Sequence, residues 1–187
     1  MATAIQTEKL LTVEEYARRP ENGKREELVR GRIVELNVPY LRHGQLIFKV
    51  VGILQRYLDA NDIGQLMCGD VAVITERGPD TIRGADVAFM SYARRPKGPL
   101  PRAEYITEVP ELVFEVRSPS DRWREVIAKA MEYLGAGAKC VCVLDEQTHT
   151  ARLYTSDAPE QVLNAHQELS FPDILPGFAV KVERFFE

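Results

Sequence analysis

The sequence predicts an α/β fold in which a mixed central β-sheet carries helices on its faces. Three observations lead there. Strand-like stretches outnumber helical ones, yet the helical ones fall between them along the chain. The run from Glu111 to Leu134 reads as strand, tight loop and helix in immediate succession. And at 187 residues, with 45% hydrophobic and 28% charged residues, the chain is long enough for one well-buried domain and short for two.

Taken in order, Thr12-Val13-Glu14-Glu15 has the capping-box pattern of a short helix that must end before Pro20. Arg25 to Val29 and Arg32 to Leu36, joined at Arg30-Gly31, form a predicted hairpin in which Arg25, Glu27 and Val29 share a face. From Leu41 to Ala60, Leu46, Val50, Ile53, Leu54 and Tyr57 recur at helical spacing, and Asn61-Asp62-Ile63-Gly64 stops the helix. Two short strands are expected at Gln65 to Cys68 and Val71 to Ile74, then a turn at Gly78-Pro79-Asp80 and a strand from Ile82 to Met90. Ser91 to Glu108, rich in Pro, Gly, Arg and Lys, reads as a long surface loop.

The central unit follows. In Leu112 to Arg117 the side chains of Leu112, Phe114 and Val116 point one way, and those of Val113, Glu115 and Arg117 the other. Ser120 or Asp121 is then the expected N-cap of a helix whose apolar positions are Trp123, Val126, Ile127, Ala130 and Leu134, with Gly135-Ala136-Gly137 at its end. Ala138 to Leu144 and Ala151 to Tyr154 are strands, and a loop, a short strand near Leu169 and a segment from Leu175 to Phe186 close the chain.

Composition narrows the function classes. No apolar run approaches the roughly 20 residues that cross a bilayer, and the first residues lack the apolar core of a secretory leader, so a cytoplasmic protein without membrane contact is expected. The three cysteines lack zinc-type spacing and read as reduced core thiols. A net charge of -4 means that nucleic-acid binding has to come from a local basic patch.

Two carboxylates stand mid-strand in apolar company, Asp86 and Glu115, and a lone buried carboxylate is expensive. If their strands are neighbours, the two share one face and repel unless a cation sits between them. A hard divalent ion such as Mg²⁺ takes such oxygen ligands. The other reading pairs them with Arg83 and Arg117 as ordinary ion pairs. Lys129, on the helix after Glu115, either joins them or pairs with Glu125 on the surface. Glu27 is a third acid on an alternating strand, solvated or ligating. His43 opens the long helix as a cap or surface residue, or else as a ligand or base. No Gly-rich phosphate loop, Gly-x-Ser-x-Gly elbow or His-Glu-x-x-His pair competes.

Together these residues resemble the Uma2 family of restriction-endonuclease-like proteins, a branch of the PD-(D/E)XK nuclease superfamily, over nearly the whole chain. The resemblance is carried by Glu27-Leu28-Val29-Arg30-Gly31, His43-Gly44-Gln45, Thr81-Ile82-Arg83-Gly84-Ala85-Asp86-Val87-Ala88-Phe89, Glu115-Val116-Arg117-Ser118-Pro119-Ser120, Lys129 with Glu132-Tyr133-Leu134 and Gly137, and Leu175-Pro176-Gly177-Phe178. It implies one restriction-endonuclease-like domain over residues 1–187, with a mixed sheet flanked by helices. It also implies a metal pair of Asp86 and Glu115 assisted by the carbonyl of Val116, a catalytic Lys129 displaced from strand to helix, and Glu27 as a further acid. The chain departs from the family pattern at Ala85, where proline usually precedes the aspartate, and at Arg117, where the superfamily's usual lysine would stand.

The activity so implied is Mg²⁺-dependent hydrolysis of DNA phosphodiesters, with Mn²⁺ as a substitute ion, no small-molecule cofactor, and a homodimer to cut two strands. His43 and Arg117 are accessory candidates, Arg117 to steady charge on phosphorus. Arg94, Arg95 and Lys97 in the basic loop, with Arg122 and Arg124 at the helix start, are candidates for backbone phosphate contacts or simply a solvated surface. The alternative function is a nuclease-fold module with little or no catalysis that binds nucleic acid or a protein.

Overall fold

A computed structural model describes residues 9–100, 105 and 107–187 of the chain. The basic loop therefore lies partly outside the described residues, as do the first eight residues. Helix α1 (Val13–Ala17) is closed by the expected capping box: the Thr12 side chain accepts from the Glu15 amide, and the Glu15 carboxylate accepts from the Thr12 amide. Strands β1 (Glu26–Val29) and β2 (Arg32–Glu35) form the hairpin. Its turn places Arg30 and Gly31 at φ 50° and 73°, the paired left-handed geometry that suits a twisted two-residue hairpin. A Cβ at Gly31 would come within 2.6 Å of that of Leu10, so the N-terminal segment can lie against the turn only because the side chain is missing.

Helix α2 (Leu41–Ala60) buries Leu46, Val50, Leu54 and Leu58, one residue per turn, as its spacing predicts. The two short strands expected after it are a single long strand, β3 (Gly64–Glu76), paired antiparallel with β4 (Thr81–Ser91). Gly69 and Asp70, both at positive φ, are not a chain break but a bulge. Cys68 pairs with Val87 and Val71 with Ala85, so two residues of β3 stand against the single residue Asp86 of β4.

Strand β5 (Leu112–Arg117) lies beside β4, antiparallel, and beside β6 (Cys140–Asp145), parallel. The parallel step requires a crossover, and α3 (Trp123–Ala136) supplies it. Strands β7 (Thr150–Tyr154) and β8 (Gln161–Leu163) extend the sheet to the order β2-β1-β4-β5-β6-β7-β8, with β3 also on β4; β8 falls where the sequence suggested loop. A second sheet of β9 (Glu168–Phe171) and β10 (Leu175–Lys181) is followed by a 3-10 turn at Val182–Phe185. The fold is a large mixed sheet flanked by helices.

The alternation of β5 divides the core as predicted. Leu112, Phe114 and Val116 join α2, β9 and β10 on one side, while Val113 joins Ala130, Tyr133 and Leu134 of α3 on the other. Three local expectations are corrected. The N-cap of α3 is Arg122, without a side-chain bond, because the Asp121 carboxylate is taken by the Ser118 amide at 2.8 Å. Ile127 is exposed and Tyr133 fills the core, since the helix turns its 126, 130, 133, 134 face to the sheet. Cys140 and Cys142 are buried free thiols, but Cys68, beside the bulge, is exposed.

Candidate active site

The register of β4 on β5 builds the centre. Val87 pairs with Phe114, Ala88 with Val113 and Phe89 with Leu112, so one further step sets Asp86 opposite Glu115 on the face toward α3. Both carboxylates are buried, at the floor of a cavity of about 500 Å³ whose walls are the β2–α2 connection and the start of α3. The bulge faces Asp86 on its other flank, and Asp70 within it is gripped by Arg25 at 2.5–2.8 Å.

Asp86 is held from two sides. The Val116 amide donates to its Oδ2 at 2.7 Å, and Nε2 of His43 lies 3.3 Å from its Oδ1. Burial pushes the Asp86 pKa up, but the His43 hydrogen bond, the charge of Lys129 and the Val116 amide outweigh it, and the net shift is downward. His43 moves the opposite way, raised by Asp86 against its own burial. Its Nδ1 stands 3.4 Å from the Ser118 hydroxyl. The first turn of α2 thus delivers a histidine to the centre rather than a cap.

Lys129 does not pair with Glu125, which sits 3.9 Å from Arg122. Its ammonium donates to Oε2 of Glu115 at 2.8 Å and to the Gly84 carbonyl at 2.7 Å, with Oε1 of Glu27 at 3.5 Å. Burial alone would favour the neutral amine, yet Glu115, Glu27 and Asp86 raise its pKa above the ordinary lysine value. Glu115 itself is pushed up to about 8, by burial first and then by the like charges of Asp86 and Glu27, against the pull of Lys129. Its Oε1 is buried with no hydrogen-bond partner.

Glu27 is buried, not solvated, and both its oxygens are engaged. Oε1 accepts from the Gly84 amide at 2.9 Å and Oε2 from Arg83 at 2.7 Å. Burial raises its pKa, but Lys129 and Arg83 more than offset that and hold it low. Arg83 also makes a two-pronged contact with Glu132 of α3 at 2.5 and 2.9 Å. The ion pairs that would have neutralised Asp86 and Glu115 as surface acids are therefore absent: Arg83 serves Glu27 and Glu132. Arg117 serves Asp145 at 3.2 Å, Gln147 at 3.0 Å and the Trp123 ring.

The structure brings Asp86, Glu115, Val116, Lys129, Glu27, His43 and Arg117 to one cavity. The five basic candidates do not line it. Arg94 is bound to Glu111 and to the carbonyls of Val109 and Gly137, Arg95 to Glu108, and Lys97 to Asp62, all past the Ser91 end of β4. Arg122 and Arg124 are exposed at the start of α3. Missed by the sequence reading were Arg83 and Glu132 as a clamp, Asp70 in the bulge, and Tyr133. Glu132 and Tyr133 lie three and four residues beyond Lys129, and that helical spacing was the signal available.

Among the described residues no group of three or more His, Cys, Asp and Glu is arranged to hold a metal. The donor set nevertheless suits a hard cation: two opposed carboxylates, a backbone carbonyl at Val116, and one carboxylate oxygen, Oε1 of Glu115, buried and unpaired. No described helix is long and apolar enough to cross a membrane.

Comparison with known proteins agrees with this fold. A crystal structure described as a putative nuclease belonging to DUF820, from Anabaena variabilis, superposes with a TM-score of 0.80 over 94% of this chain and 97% of its own, at 16% identity, a likeness of fold. A search of curated proteins returned no significant match. The model of the Uma2 family, described as putative restriction endonuclease, matches residues 13–183. On that match the chain belongs to the Uma2 family and is nuclease-like.

Proposed function

We propose that this chain is a Mg²⁺-dependent endonuclease that hydrolyses DNA phosphodiester bonds, working as a cytoplasmic homodimer with Mn²⁺ as an effective substitute. The observation that carries the reading is the bare Oε1 of Glu115, buried opposite Asp86. A buried carboxylate oxygen without a donor is costly, and a divalent ion is the partner that would satisfy it and Asp86 at once.

Asp86, Glu115 and the Val116 carbonyl would hold the ion. When bound, it polarises the phosphate and lowers the pKa of a nearby water. The chain's own groups do the rest. Lys129, kept protonated by its three carboxylates, orients the water and stabilises charge on the phosphate. Glu27 and Arg83 fix the ammonium in place, and His43 fixes Asp86. The Arg117 guanidinium donates through Nη1 to Asp145 and Gln147 and lies over the Trp123 ring, which braces the end of β5 at the cavity wall. Charge is in keeping with a cation. Six carboxylates (Glu27, Glu35, Asp70, Asp86, Asp121, Glu125), with Glu115 and His43 titrating beside them, and four fixed cations (Arg25, Arg83, Arg117, Lys129) line the cavity, and a divalent ion would ease the approach of a polyanion to such a lining.

That acidic lining also favours the second reading, a nuclease-fold module without catalysis. Calorimetric titration with Mn²⁺ and cleavage of supercoiled plasmid in Mg²⁺ separate the two. The endonuclease binds Mn²⁺, cuts, and loses both in Asp86→Asn. A folded wild type that binds no Mn²⁺ with or without DNA, and nicks nothing, is the module.

A further inference from the structure

Among the buried polar atoms without partners, which include Nε of Arg117 at the cavity, two belong to neighbours on β5 and α3. One is Oε1 of Glu115. The other is the hydroxyl of Tyr133, a residue wholly enclosed in the core between α3 and the sheet. Tyr133 and Lys129 are four residues apart on α3 and so lie one above the other on the same helix face. Lys129 already donates to Oε2 of Glu115. Burial first, and then the charge of Glu115 ahead of Glu27 and Asp86, pushes the Tyr133 hydroxyl's pKa up; Glu115 also acts on it as a hydrogen-bond partner, although the two do not meet in good hydrogen-bond geometry.

A core that needed only a ring at this position would be served by phenylalanine, because a buried hydroxyl without a partner is a net cost. We infer that Tyr133 is a positioning residue of the centre: its hydroxyl donates to Oε1 of Glu115, so that α3 grips both oxygens of one strand carboxylate, Lys129 on one and Tyr133 on the other. Each oxygen keeps a second lone pair, and the carboxylate plane is fixed for the ion. Partners of this kind around a ligating carboxylate commonly govern metal affinity and activity. The inference rests on the carboxylate centre proposed above.

Tyr133→Phe, nearly isosteric, is the test. In full-length protein it lowers Mn²⁺ affinity about tenfold by calorimetry and lowers kcat by a similar factor with KM unchanged, a split that a loosened core would not give. Where wild type binds Mn²⁺, an affinity and kcat within twofold of wild type in the variant overturn the inference. Where wild type binds none, the metal reading has failed, and the hydrogen bond is read instead in EDTA from denaturation midpoints of wild type, Tyr133→Phe, Glu115→Ala and the double variant. Tyr133→Phe then lowers the midpoint when Glu115 is present and not when it is absent; additive shifts sink the idea. If the Glu115→Ala proteins do not fold, the sign for Tyr133→Phe alone decides, since removing an unpartnered hydroxyl raises the midpoint or leaves it in place.

Discussion

Glu111 and Glu115 stand four residues apart on the same strand path, both buried, and their surroundings differ in kind. Glu111 is saturated: the Ser91 amide and hydroxyl donate to it at 3.0 and 2.6 Å, and Arg94 lies at 3.3 Å. Glu115 faces Asp86, shares one ammonium with Glu27, and leaves an oxygen bare. Burial alone does not mark a reactive acid. An acid whose partners balance it is part of the frame; one held close to another acid, with a lone pair uncommitted, is poised to take something from outside.

The sharpest break of that comparison is on activity. Glu115→Gln is expected to lower plasmid cleavage about a thousandfold or more, the several kcal/mol that a bound ion contributes, while Glu111→Gln leaves the rate and the Mn²⁺ isotherm unchanged. Equal loss of cleavage in both would show that the two ends of β5 are one structural unit and not a frame and a site. Lys129→Met follows, with a rate about a hundredfold lower and the Mn²⁺ stoichiometry kept; a wild-type rate in that variant would leave the lysine as no more than a counter-charge.

Much of this contrast was legible before the fold. The alternation of Leu112–Arg117 put Glu115 and Val113 on one face, and the spacing of Leu41–Ala60 set that helix's buried stripe. What failed was long-range. Gly69-Asp70 carries turn chemistry, and nothing local distinguishes a turn that ends a strand from a bulge that bends one past Asp86. Lys129 was ambiguous because a four-carbon stem lets an ammonium from the rim of a helix reach inward or outward. Tyr133 was passed over because its ring is apolar and its hydroxyl is not, so hydropathy spacing favoured Ile127, which is exposed.

On stability the order reverses. Glu111→Ala takes the acceptor from the half-buried Ser91 amide and hydroxyl and leaves Arg94 only its carbonyl contacts, and should cost about 2 kcal/mol by urea denaturation, the price of leaving such donors unpaired. Glu115→Gln should cost less in the same assay, because the amide keeps an oxygen acceptor and, being neutral, relieves the repulsion from Asp86 and Glu27. A larger loss for Glu115→Gln would mean that the centre is held together chiefly by the Lys129 pair.

The smallest expected effect tests where nucleic acid lies. Arg95 and Lys97 belong to the Glu111 end of the sheet, each already paired, with Glu108 at 3.1 Å and Asp62 at 2.6 Å. Neither lines the cavity that holds Asp86 and Glu115. If DNA approaches only the cavity, Arg95→Ala with Lys97→Ala leaves the dependence of log affinity on log salt unaltered. If the loop touches the backbone, each substitution removes about one unit from that slope, and the frame end of β4 becomes part of the binding surface. A slope change without any change in cleavage rate would divide the labour between the ends, one gripping the polyanion and the other cutting it.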